Sequence, residues 1–150
     1  MKKWFFTGLL GGVIMLAAGM ATGQIFQAFA PSLEAEYHNA SLFRPWSDPL
    51  MMLYFIHPLL LGIILAWIWE QTKVIIRGDS DLKKGINFGL IVWLASSVPG
   101  MLMSYASFPL SFMIVLSWSL GGLIELLCLG ILFSKMLKGQ SNKDDHVKIN

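Results

Sequence analysis

One acid, Glu125, stands in the run SWSLGGLIELLCLG from Ser117 to Gly130, with only apolar or small residues around it. Burial strips water from a carboxylate and disfavours its charged form. An acid in such a place therefore needs a use. As a neutral group it can clasp neighbouring helices through hydrogen bonds. As a titrating group it can carry a proton or hold a substrate. It can also bind a partner protein. At helical spacing Glu125 shares a face with Ser111, Trp118, Gly121, Gly122 and Cys128. Glycines beside Trp118 and Glu125 allow close helix approach, so this face is expected to pack on protein and not on lipid.

His57 is the second candidate. It precedes Pro58 inside an apolar run. A proline within a helix removes one hydrogen bond and frees the carbonyl four residues back, here that of Tyr54. His57 could bond the freed group, bind a metal or haem, or shuttle a proton; the simplest reading is structural. Haem in a bundle normally wants two opposed histidines. His38 lies in a loop and His146 in the tail, so neither a cofactor nor a metal is expected. At 1.5 Å per residue, counting from Pro49 and from Pro109 puts His57 roughly 12 Å and Glu125 roughly 24 Å below the outer ends of their helices. That disfavours a direct pair. Gln24 and Ser117 are the expected level partners of His57. Ser96 and Ser97 are those of Glu125, with Gly12 opposite. The candidate ligand or proton site is thus Glu125, His57, Ser96, Ser97, Trp118 and Gln24. Met51, Met52, Met101 and Met103 form no convincing copper site.

The elements that must hold these residues are read from composition. The 150 residues are 55% hydrophobic and only 13% charged, about half the charge of an ordinary soluble domain. Mean hydropathy is +0.63. A helix crosses a bilayer with roughly 20 mostly apolar residues, and four runs qualify: about 4–30, 49–69, 86–105 and 109–133. Ser47-Asp48-Pro49 reads as a cap followed by a first-turn proline. The second helix could run on through Glu70, Lys73 and Arg77 to stop at Gly78, and Asp79-Ser80-Asp81 could cap the third. The link from Tyr105 to Pro109 makes the last two spans antiparallel neighbours. The fold class expected is an all-α integral-membrane four-helix bundle, with a polar tail over 139–150 that lacks order.

The first span also resembles a secretory signal, with Lys2-Lys3 before it and Ala28-Phe29-Ala30 after it. Its apolar run is too long for a signal core, and Gly8, Gly12, Gly19 and Gly23 form GxxxG pairs on nearly one face. Gly89 and Gly100, with Gly85, Ser96 and Ser104, suggest a small-residue seam on the third span, and Gly121 and Gly122 one on the fourth. All but one of the 11 Lys and Arg fall in the N-terminus, the second loop or the tail; only Arg44 lies opposite. Positive charge stays on the cytoplasmic side, so both termini are expected inside. In the outer loop Leu33, Tyr37, Ala40 and Phe43 recur at helical spacing, which suits a short helix lying on the membrane surface.

Several classes are excluded. Net charge is only +2, with no signature for nucleic acid. Cys128 is the single cysteine, which leaves no internal disulfide, CxxC or zinc site. No Ser-His-Asp, HExxH or P-loop pattern occurs, and there is no internal repeat. The reading that remains is a non-enzymatic membrane protein that packs with itself or another membrane protein through glycine seams. The alternatives are a small proton-coupled transporter or permease using Glu125, and a membrane enzyme or redox carrier using His57. Small size and short loops suggest a bacterial inner membrane.

Overall fold

The computed structural model describes residues 2–137; the tail expected over 139–150 lies outside them. The described residues form an all-α bundle whose four long helices are apolar enough to cross a membrane. Helix α1 (Lys3–Phe29) is followed by a short α2 (Ser32–Tyr37). A 3₁₀ turn (Pro49–Met51) leads into α3 (Met52–Thr72). The third span is composite: α4 (Asp81–Val92), a π-helical turn (Trp93–Ser97) and α5 (Val98–Ser107). Helix α6 (Phe112–Met136) is the fourth. By the charge rule the end bearing α2 is the outer one.

Local chemistry accounts for the boundaries. Asp48 accepts from the Leu50 N–H at 2.9 Å, just ahead of the first-turn proline. Ser80 accepts from the Lys83 N–H at 3.2 Å and caps α4. Ser111 does the same for α6 through the Ile114 N–H, also at 3.2 Å. Helix α3 stops at Thr72 and does not run on to Gly78. The π turn precedes Pro99. A proline offers no N–H to the carbonyl four residues back, and the ladder there widens instead of breaking.

Helix α1 packs on α3 along one face and on α6 along another, while α4 packs on the far side of α6. Glycine makes each of these seams. On α1, Gly8 and Gly12 meet the α3 backbone at Gly62–Ile63 and Pro58–Leu59, and Gly62 meets Gly8 and Gly12 in return. Gly11 of α1 meets Leu129 and Phe133 of α6. Gly85 of α4 lies on Gly130 of α6, and Gly89 lies on the Leu126 carbonyl. Two of the expected seam positions do not pack: Gly23 and Gly100 face open space. Gly23 lies beyond the start of α3, and Gly100 lies in α5, which buries no residue at all.

The inner end is closed. Trp69, Phe88 and Phe133 meet there with ring centroids 5.3–6.4 Å apart. Met15, Leu65, Ala66, Leu126, Leu129 and Leu137 surround them. The Trp69 indole and the Lys73 ammonium both donate to the Leu137 carbonyl. The outer end is built differently. Helix α2 is shorter than the loop pattern suggests, and Leu33 is 2% exposed, turned into the protein. That buried leucine straps the helix onto the bundle.

Candidate functional site around Glu125

Glu125 sits midway along α6, and its side chain reaches α1. A Cβ added to Gly19 would stand 2.5 Å from Oε1, so the missing side chain of Gly19 is what makes room for the carboxyl. Among the described residues that carboxyl has no hydrogen bond and no ion pair. It is half-buried. The site thus holds a half-buried carboxyl without a hydrogen-bond partner among the described residues, midway along a helix apolar enough to cross a membrane.

Aromatic residues lie outward of it. Trp118 is seven residues earlier on the same face of α6, about two turns towards the outer end. Its indole N–H donates to the Tyr37 hydroxyl at 2.8 Å. Phe43 packs against both, at centroid distances of 5.4 Å from Tyr37 and 6.0 Å from Trp118. From α3, Tyr54 packs on Trp46 and Phe55, at 5.5 and 5.4 Å. The strap is tied to α6 a second time: Glu36 Oε1 accepts the Ser111 N–H at 2.7 Å. Two aromatic groups, each built from the outer loop and one span, thus tie the outer loop to α6 and to α3. Outside the membrane, Asp48 is held below the usual carboxylate range, mainly by the Leu50 N–H and then by Arg44 at 2.8 Å.

Of the residues proposed from the sequence, Glu125 and Trp118 share a face of α6 two turns apart, and none of the others bonds to either. The Ser96 hydroxyl is exposed and donates to its own helix at Val92. The Ser97 hydroxyl lies against Gly122, one turn before Glu125, and forms no hydrogen bond with the carboxyl. Gln24 and His57 are exposed, and neither forms a hydrogen bond among the described residues. Gly121 and Gly122 make only ordinary contacts, with Thr22 and Ser97.

The expected depths also need correction. Leu59, two residues beyond His57, lies on Gly12, while the Glu125 carboxyl lies on Gly19. Glu125 is therefore the outer of the two by roughly 7 Å along α1, the reverse of the count from the helix starts. That count took Pro49 and Pro109 as level. In fact α6 begins well outside the start of α3, because the long outer loop lets α3 begin deep. For the same reason Gly19, not Gly12, is the glycine opposite the acid. Gly11, Gly62 and Gly130 were not singled out as seam positions; the Gly85–Gly89 spacing was the readable signal for the α4–α6 seam.

No family model matches the chain, no curated protein matches it in sequence, and no solved structure matches its fold.

Proposed function

We propose that this chain is a multi-pass protein of the bacterial inner membrane that binds a ligand at Glu125 from its outer side and couples that binding to protonation of the carboxyl. The observation that carries the reading is the carboxyl itself: room is left for it at Gly19, and nothing among the described residues bonds to it. A structural clasp would need a donor bonded to the carboxyl, and the Ser96 hydroxyl is spent on Val92 instead. An intramembrane acid without an internal partner takes one from outside, either a proton or a ligand. The packing reading fits less well. The glycine seams at Gly8, Gly12, Gly85 and Gly89 are filled within the chain and leave nothing there for a second protein. The redox reading fits least, since His57 is exposed and forms no hydrogen bond among the described residues.

The test is an infrared difference titration of the purified protein in lipid nanodiscs. A protonated-carboxyl band that changes with pH and disappears in E125Q is the expected result. No Glu125 signal anywhere in the pH range where the fold survives would overturn the reading.

A further inference from the structure

At the inner end of the bundle, residues 73–80 alone join α3 to α4. Fully extended and doubled back, such a loop reaches at most about 13 Å from the helix ends, so its tip stays at the membrane surface. The loop is fixed from within. Ile76 is 9% exposed and belongs to the core around Trp69 and Phe88, and the Asn87 amide donates to the Arg77 carbonyl at 2.6 Å. Between Thr72 and these two anchors, Val74 and Ile75 are turned outward, 77% and 76% exposed.

Bases flank this apolar tip in the sequence, and the acids beside them are taken. Lys73 pairs with Glu70 at 2.9 Å and Lys83 with Asp79 at 2.6 Å; Asp81 is engaged as well. Arg77, Lys84 and Lys135 have no ion pair among the described residues. Two close contacts put them on adjoining positions. A Cβ added to Gly78, next to Arg77, would stand 2.9 Å from the Lys84 Cγ. One added to Gly85, next to Lys84, would stand 2.9 Å from the Cβ of Ser134, which precedes Lys135. The loop, α4 and α6 thus each bring one unpaired base to the same corner of the bundle.

We propose that this corner holds an acidic phospholipid of the inner leaflet, its phosphate on Arg77, Lys84 and Lys135, with Val74 and Ile75 set at the start of the acyl chains. The unpaired bases select an anion. The aliphatic pair selects a lipid over a free phosphate ion. A soluble anion would use the bases and leave both side chains in water; a lipid covers the apolar tip and meets the charge at once. A zwitterionic lipid is matched less well, since no described acid at this corner is left to meet its ammonium group. The site lies at the opposite end of the bundle from the outer loop and does not depend on the state of Glu125.

Native mass spectrometry of the full chain in micelles, titrated with equal amounts of phosphatidylglycerol and phosphatidylcholine, reads the lipid retained. The expected result is one phosphatidylglycerol per chain, held in about tenfold preference, as bases near an anionic surface confer. R77Q/K84Q should abolish the preference. K2Q/K3Q removes the same charge from the same end of the bundle, but on α1, which α6 separates from α4; it should keep the preference. V74S/I75S should weaken retention several-fold. All six side chains are exposed or half-exposed, so the thermal transition should stay in place. Equal retention of the two lipids would overturn the site. So would an equal loss in R77Q/K84Q and K2Q/K3Q, which would reveal only the general charge of that end. Displacement of the lipid by millimolar glycerol 3-phosphate, or retention unchanged in V74S/I75S, would overturn the choice of a lipid as occupant.

Discussion

Gly12 and Gly23 lie on one helix, yet replacing each with alanine should have opposite effects. At Gly12 the new methyl carbon would stand 2.5 Å from both the Leu59 Cα and the Pro58 carbonyl oxygen. These are backbone atoms and cannot rotate away. Ordinary contact begins near 3.4 Å, so α1 and α3 must part by about 1 Å in an interior packed as densely as a crystal. Over-packing of this kind costs about 1–3 kcal/mol. Alanine returns roughly 0.5–1 kcal/mol through its better helix propensity, which leaves G12A about 1–2 kcal/mol less stable than the parent. At Gly23 nothing lies within 4 Å. Only the propensity gain remains, and G23A should be neutral or slightly stabilised. The two variants make the same chemical change, so the difference between them isolates the α1–α3 contact. Unfolding in mixed micelles, titrated with sodium dodecyl sulfate and followed by far-ultraviolet ellipticity, measures both. If G12A proves as stable as G23A, α1 does not meet α3 along this seam, and the arrangement of the bundle is wrong.

Two further outcomes are expected. W118F removes the indole N–H that donates to Tyr37; it should cost about 1 kcal/mol and speed amide exchange in α2, with unchanged exchange in α2 counting against the strap. The Asp48 carboxyl, depressed by the Leu50 N–H and by Arg44, stabilises the outer loop fully above the ordinary carboxylate range and loses that contribution as pH falls through its lowered folded value. The Leu50 amide shift should therefore titrate below the value of a free aspartate and should not titrate in D48N; a midpoint at the ordinary aspartate value would refute the cap.

Much of the architecture is legible in the sequence, and for identifiable reasons. Long runs without charge can only be spans, so α1, α3 and α6 are found close to their true limits. Asp48 and Ser80 announce helix starts because their short oxygens reach a nearby N–H. Other features depend on partners that no local pattern names. Gly62 stands alone in α3, and its role exists only because Gly8 and Gly12 face it. Pro99 signals a disturbance in the third span but does not say that a π turn will absorb it. The relative depth of His57 and Glu125 depends on how far the outer loop lets α3 start below α6, a length set by tertiary packing. The acid itself was readable as a candidate site, since its cost in lipid marks it. The surroundings of its helix were not, because Tyr37 and Phe43 reach Trp118 only through a strap whose docking on α6 is set by Glu36 and Ser111.

Helix α1 is sandwiched between α3 and α6, and that bears on how the chain assembles. A nascent chain presents α1 first, with both of its glycine faces empty. The first is filled as soon as α3 follows. The second waits for α6, and nearly the whole chain separates Gly19 from Glu125. Until the last helix arrives, a bare groove on α1 lies open to lipid, and the hairpin of α4, α5 and α6 closes it on docking. A ribosome stalled before α6 would therefore leave a half-built intermediate, vulnerable to membrane proteases along the stretch that later receives the acid.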